Sequence, residues 1–126
     1  MAHSQSKIWI HLVFCTKYRT DLISPEVEIR LYEEIKHQFL NLGCLVRNIN
    51  GYTDHVHVLF MLNPQHSVRE IVGRVKGASS HAISRNEQLS PYFSWSAGYY
   101  AKSVSESHLD VIDRYIDNQK KHHSGK

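Results

Sequence analysis

Two histidines separated by a single residue offer the most specific chemistry in this chain. His55 and His57 flank Val56 in a run that continues with Val58 and Phe60. Because side chains alternate across a strand, both imidazoles would project from one face and the three apolar side chains from the other. Two neutral imidazoles are half of a divalent-cation site. With 10 histidines in 126 residues, the pair alone could equally be the solvated side of a strand.

Tyr115 and Gln119 could complete such a site. They lie four residues apart and so share one side of a helix predicted over residues 107–122, beside an apolar stripe of Leu109, Ile112 and Ile116. Taken alone, a tyrosine in this position is more typical of packing, and a glutamine of a solvated side chain. Two imidazole nitrogens and an amide oxygen would, however, leave coordination positions open for phosphate oxygens. The phenol would then be a candidate nucleophile, and the cation would polarise the scissile phosphate.

Composition indicates one globular domain, residues 1–126, of 14.7 kDa with 41% hydrophobic residues. The formal net charge of +3 permits a nucleic-acid partner without requiring one. Cys15 and Cys44 form no CxxC pair, so we expect a reducing, cytoplasmic environment. The polar N-terminus is unlike a signal peptide, and no apolar run is long enough to span a membrane.

The hydrophobic pattern predicts the order β-α-β-β-α-β followed by the terminal helix. Strands are expected over residues 7–15, 44–49, 55–62 and 92–104, with helices over 25–42 and 68–82. Asn50-Gly51 is interpreted as the hairpin turn, and Gly98 as a bulge or a close backbone approach. This is an α+β fold of the ferredoxin-like, split β-α-β type. We expect the two helices to cover the face bearing Val56, leaving the histidine face open for a substrate.

A stripe along the second helix combines cations with small residues. It contains Arg69, Gly73, Lys76, Gly77 and Ser80. Bare glycine positions would let a phosphate backbone approach closely, although a surface helix with tolerated glycines is an equally good interpretation.

Several separated blocks together resemble one family. They are HLVF (11–14) with TKYR (16–19), GYTDHVH (51–57), VKGASS (75–80), WSAGY (95–99) with SVS (103–105), and YIDNQ (115–119). In this order they resemble the TnpA-type single-tyrosine transposases of the smallest bacterial insertion sequences, the IS200-like group of the HUH endonuclease superfamily.

The resemblance implies a chemistry and a substrate. Tyr115 would attack single-stranded DNA at hairpin-bearing element ends, giving a 5′-phosphotyrosine linkage and a free 3′-hydroxyl, with Mg²⁺ or Mn²⁺ held by His55, His57 and Gln119. It also implies a homodimer in which the tyrosine helix of one subunit completes the site of the other, and the segment 103–107 would be the linker. The candidate DNA contacts are Lys17, Tyr18, Arg19, Arg69, Lys76, Ser79 and Ser80.

Two other functions remain open. A non-catalytic single-stranded nucleic-acid-binding module with this topology would bind independently of metal and of Tyr115. A metal-dependent nuclease that uses water would still cleave DNA without the phenol.

Overall fold

The computed structural model describes residues 5–86 and 89–124, so residues 87–88 and both ends of the predicted 1–126 domain lie outside it. Four strands form one antiparallel sheet in the order β2-β3-β1-β4. The strands are β1 (Trp9–Cys15), β2 (Leu45–Tyr52), β3 (His55–Met61) and β4 (Tyr100–Val104). The helices are α1 (Pro25–Asn41), α2 (Val68–Ser84), α3 (Leu109–Asp117) and α4 (Gln119–Ser124), with 3-10 turns at Lys17–Arg19 and Glu106–His108. The predicted ferredoxin-like α+β arrangement is confirmed.

Both long helices begin where their capping residues indicate. The Ser24 hydroxyl accepts a hydrogen bond from the Val27 amide at 3.3 Å, with Pro25 at the first helical position. The Ser67 hydroxyl accepts one from the Glu70 amide at 3.0 Å. The apolar faces of these helices pack on one side of the sheet, in a core that includes Leu12, Phe14, Leu31, Ile35, Phe39, Val56, Val58, Phe60, Ile71 and Val75.

The predicted hairpin turn at Asn50-Gly51 is wrong. Both residues lie inside β2, where Asn50 pairs with His57 and Gly51 with Val56. The chain instead turns between Tyr52 and His55, which pair with each other. Glycine is needed at position 51 because a Cβ there would lie 2.1 Å from the carbonyl oxygen of His55.

The fourth strand is shorter than predicted, because β4 begins only at Tyr100. Before β4, Trp95 forms, among the described residues, only a single antiparallel bridge, with Thr16. Phe93 and Trp95 pack edge-to-face on each other, and Trp95 does so on Phe14 at 4.6 Å between ring centroids. Gly98 lies outside the strand, and a Cβ there would meet open space. It therefore marks neither a bulge nor a close approach.

The histidine face of the sheet is not left open as predicted. Leu109 and Ile116 of α3 pack against Trp9 and Leu59, forming a second, smaller apolar cluster. The apolar stripe of the terminal helix must be buried against another surface. The histidine face of the sheet was available, because α1 and α2 cover the opposite face. Within the described residues, no helix is both long and apolar enough to cross a bilayer.

The terminal segment also differs from the continuous helix predicted over 107–122. It begins with the 3-10 turn at Glu106–His108. The helix is then interrupted at Asn118, where the backbone leaves the helical conformation with a φ of −94° and a ψ of 11°. Ser103 and Val104, expected in a linker, are paired with β1 in the sheet.

Candidate metal and nucleophile site

His55 and His57 share one face of β3, as predicted, but each is only 5% exposed. β1 lies beside β3 and contributes His11 to the same face, with 8% exposure. Three imidazoles of the sheet are therefore gathered in the space below the C-terminal helices, and the ring centroid of His123 on α4 lies 4.9 Å from that of His55.

The ring of His55 is oriented by a carboxylate. Its Nδ1 lies 2.7 Å from Asp54 Oδ1, while Arg19 Nε donates to Asp54 Oδ2 at 3.0 Å. Burial by itself would raise the pKa of the Asp54 carboxyl, but the hydrogen bonds from His55 and Arg19 outweigh it and lower that pKa. A carboxylate on Nδ1 keeps the proton there and leaves the Nε2 lone pair for another partner.

Gln119 provides the group that faces this nitrogen. It is fully buried, and its Oε1 lies 3.0 Å from His55 Nε2. Its Nε2 donates to the Tyr115 carbonyl at 3.3 Å, which fixes the direction of the amide. With a proton on His55 Nδ1, the Nε2 lone pair and the Gln119 oxygen would face each other, and a metal ion bound between them would relieve that repulsion.

This donor set fits a divalent metal. Imidazole nitrogen and amide oxygen are both ordinary ligands of divalent ions, and His55 Nε2 and Gln119 Oε1 would hold such an ion from atoms 3.0 Å apart. Among the described residues no group of three or more His, Cys, Asp or Glu side chains is placed to hold a metal. The ligands proposed from the sequence, His55, His57 and Gln119, do not form a group of that kind, because the third ligand is an amide oxygen.

His57 is held by the third imidazole. Its Nδ1 lies 2.8 Å from His11 Nε2, and the two rings are nearly parallel, with an interplanar angle of 23° and centroids 5.1 Å apart. Burial, with repulsion from His11 and His55, lowers the pKa of His57 to about 3. Burial also lowers the pKa of His11. For His57, the lowered pKa favours the neutral imidazole that metal ligation requires.

Tyr115 lies directly over these imidazoles. Its ring centroid is 5.5 Å from that of His57 and 6.2 Å from that of His11, and its side chain is 44% exposed. An open cavity of about 730 Å³ lies beside it, lined also by Tyr100 and Arg19. The phenol is therefore accessible and adjacent to the candidate metal ligands within a single chain.

Contacts with β2 fix the position of α3. Asn50 Nδ2 donates to the Ile116 carbonyl at 2.9 Å, and Arg47 Nε donates to Asp113 Oδ2 at 2.8 Å. Lys120 on α4 adds an ion pair with Glu28 of α1 at 2.7 Å. Tyr115 lies on α3, before the break at Asn118, and Gln119 lies on α4, after it. These polar contacts and the apolar cluster direct both side chains at the histidine face.

The candidate DNA contacts occupy different environments. Lys17, Tyr18 and Arg19 form an exposed 3-10 turn in which Tyr18 and Arg19 have positive φ values of 58° and 55°. Tyr18 is 86% exposed, whereas the Arg19 guanidinium is already paired with Asp54. The positive φ is unusual for such bulky residues and is the kind of local strain that accompanies functional sites.

On α2, Arg69 is exposed and Ser80 is half-buried, and the neighbouring glycines meet open space, as the bare stripe predicts. Lys76 is turned inward, where its Nζ donates to the carbonyls of Ser96 and Gly98 at 2.6 and 3.0 Å. Burial lowers the pKa of Lys76. In this structure Lys76 therefore holds the segment before β4 against α2.

Ser79 corrects one expected contact. It is fully buried, and its hydroxyl accepts a hydrogen bond from Trp95 Nε1 at 3.1 Å, so it does not face a DNA strand in this structure. It lies on the core side of α2, whereas the neighbouring Ser80 does not.

Sequence reasoning missed four residues that touch the site: His11, Asp54, His122 and His123. The last two lie on α4, with ring centroids 5.7 Å from that of Tyr115 and 4.9 Å from that of His55, respectively. The signal for His11 was present, since alternation on β1 puts it opposite Leu12 and the predicted topology puts β1 beside β3. Asp54 precedes His55 directly, but only the tight turn brings its carboxylate back onto the neighbouring imidazole.

Comparison with known proteins defines the class. Residues 4–119 match the family model described as IS200-like transposase. The chain belongs to this family of transposases. The ISDra2 transposase TnpA of Deinococcus radiodurans is 30% identical over 114 residues, covering 86% of this chain and 81% of the relative. An IS200 transposase of Salmonella typhimurium is 26% identical over 129 residues, covering 94% and 81%.

Solved structures agree on the fold. A crystal structure of a candidate transposase from D. radiodurans R1 has a TM-score of 0.73 at 29% identity and covers 94% of this chain and 98% of that one. A REP-associated tyrosine transposase bound to a REP hairpin has a TM-score of 0.67 at 14% identity and covers 98% and 75%. At that identity, the second comparison supports the fold alone.

Proposed function

We propose that this transposase cuts and rejoins single-stranded DNA at hairpin-bearing insertion-sequence ends through a 5′-phosphotyrosine intermediate on Tyr115. The observation that carries the proposal is the convergence of one exposed phenol with two buried imidazoles and a buried amide oxygen. Membership of the transposase family supports strand transfer as the reaction class. A structural neighbour bound to a hairpin makes folded single strands the natural substrate to test.

The residues divide the chemistry between them. His55, His57 and Gln119 would hold Mg²⁺ or Mn²⁺, which when bound would polarise the scissile phosphate as a Lewis acid. Tyr115 Oη would attack the phosphorus, and the departing 3′ oxygen would become the free 3′-hydroxyl. The new phosphodiester keeps the energy of the broken one, so attack by a 3′-hydroxyl can reverse the step without an energy source.

Exposed residues of the Lys17–Arg19 turn and of α2 would bind the DNA. Tyr18 presents an exposed aromatic face on which a base can stack, and Lys17 and Arg69 offer exposed charge to phosphates. The glycine stripe of α2 would add a surface that a phosphate backbone can approach closely.

A homodimer is also part of the proposal. β4 forms one edge of the sheet, and its residues Tyr100 to Ser103 are exposed, so its outer backbone groups are available to a second copy. The structure brings Tyr115 to the imidazoles of its own chain, so exchange between subunits would require α3 to leave this position. Mixing Tyr115→Phe and His57→Asn proteins tests exchange, because activity returns only if a subunit supplies its tyrosine to its partner.

The decisive experiment uses Mn²⁺ and single strands carrying authentic element ends. We expect a covalent protein–DNA adduct that is lost in Tyr115→Phe and retained in the matched control Tyr92→Phe, whose ring is 86% exposed and lies outside the site. Cleavage that persists in Tyr115→Phe would indicate a nuclease that uses water. Metal-independent binding without cleavage on authentic ends would favour the non-catalytic module.

A further inference from the structure

His11 shares its closest polar contact with a candidate metal ligand. Its Nε2 lies 2.8 Å from His57 Nδ1, and both side chains are buried. At this distance one proton must lie between the two nitrogens, since two N–H groups or two lone pairs would repel each other. Two arrangements are therefore possible: His11 donates, or His57 donates.

The two arrangements have opposite consequences for His57. If His11 donates, the proton of a neutral His57 lies on Nε2, and that nitrogen then has no lone pair for a ligand. If His57 donates, its proton lies on Nδ1 and the Nε2 lone pair is free for a ligand.

His55 shows how an acceptor can orient an imidazole within the same site. Asp54 accepts from His55 Nδ1 and so leaves His55 Nε2 toward the Gln119 oxygen. His11 occupies the equivalent place for His57 from the adjacent strand. An acceptor behind a metal-binding histidine fixes both the tautomer and the ring orientation.

We propose that His11 is a positioning residue, accepting a hydrogen bond from His57 Nδ1 so that His57 presents its Nε2 lone pair to a divalent cation. The inference rests on the proposed function insofar as His57 is taken as a metal ligand. The tautomer itself is a property of the metal-free protein.

The test therefore begins without metal. Long-range ¹H–¹⁵N correlation spectra of the ¹⁵N-histidine-labelled protein, with His57 assigned through His57→Asn, report which ring nitrogen carries the proton. We expect Nδ1–H in the wild type. In His11→Phe, a ring of similar size offers no acceptor, and we expect the proton to move to Nε2, where Gln119 can accept it. Nε2–H in the wild type, or an unchanged tautomer in His11→Phe, overturns the proposal.

Metal affinity gives the second readout. Calorimetric titration with Mn²⁺ should show about tenfold weaker binding in His11→Phe, the lower end of the range for loss of such an outer contact. His11→Gln places an amide oxygen near the lost Nε2 and should restore both tautomer and affinity. The exposed His37→Gln is the matched control. If His11→Gln is folded but does not restore the tautomer, or if affinity in His11→Phe is unchanged, the role assigned to His11 is wrong.

Failure of the proposed function would look different. If the wild type does not bind Mn²⁺, or if His57→Asn binds it equally well, the metal site itself is wrong. The tautomer of His57 in the metal-free protein still decides the assignment of His11.

Discussion

Gly51 lies where the β2–β3 hairpin has no room for a side chain, and Gly51→Ala tests how strictly the backbone positions His55. The added Cβ would lie 2.1 Å from the His55 carbonyl oxygen and 2.9 Å from Val56 Cα. Cβ contacts below 3.0 Å are essentially never seen, so the strands must separate by about 0.9 Å at this point. Both close atoms belong to the backbone, which cannot rotate away as a flexible side chain can.

The cost can be worked out from that separation. Overpacking costs about 1–3 kcal/mol and a weakened ladder hydrogen bond about 1 kcal/mol, so we expect a loss of about 2–4 kcal/mol in the free energy of unfolding. For a chain of this size the melting temperature should fall by about 10 °C. Because the moving carbonyl belongs to His55 itself, Mn²⁺ affinity should fall by about tenfold as well.

The assay is thermal unfolding followed by circular dichroism, with Gly73→Ala as the matched control. A Cβ at Gly73 has no neighbour within 4 Å, and alanine favours the helix, so this variant should gain about 0.5–1 kcal/mol. A Gly51→Ala protein that melts within about 2 °C of the wild type would refute the reasoning. So would a loss of stability with no change in metal affinity, since the strain would then not reach His55.

Three further substitutions probe the loop, the carboxylate and the core side of α2. Tyr18→Gly should raise the free energy of unfolding by about 1 kcal/mol because glycine tolerates the positive φ, and should weaken single-strand binding in fluorescence anisotropy; unchanged affinity would exclude base stacking on this ring. Asp54→Asn should weaken Mn²⁺ binding in calorimetry by about tenfold, because an amide holds the proton on His55 Nδ1 less strongly; equal affinity would contradict that role. Ser79→Ala should cost about 1 kcal/mol in denaturant unfolding by leaving Trp95 Nε1 without its acceptor, with DNA affinity unaltered; a selective loss of DNA affinity would return Ser79 to the interface.

Local patterns were sufficient for much of the fold. The caps at Ser24 and Ser67 and the regular apolar spacing of α1 and α2 depend on contacts within a few residues, so a single sequence carries them. Alternation in β3 likewise predicted that His55 and His57 share a face, because it follows from strand geometry alone.

Long-range packing decided what those patterns left open. The turn after β2 could not be located from Asn50-Gly51, because Gly51 is required by the approach of β3 and not by its own conformation. The aromatic segment before β4 has strand-like composition, but in the described part of the chain its pairing is limited to a single bridge between Trp95 and Thr16, and the Trp95 side chain is held by Ser79 and Phe14. In both places a partner distant along the chain overrides the local preference.

The sequence by itself determined which residues could do the chemistry: the two imidazoles, the phenol and the amide that also carry the family resemblance. Only the tertiary structure decided that α3 covers the histidine face, that the helix breaks between Tyr115 and Gln119, and that His11 and Asp54 stand behind the two imidazoles. The physical reason is that residue types and local spacing are written along the chain, whereas the pairing of ring nitrogens depends on strand register and on which apolar surfaces must be buried together.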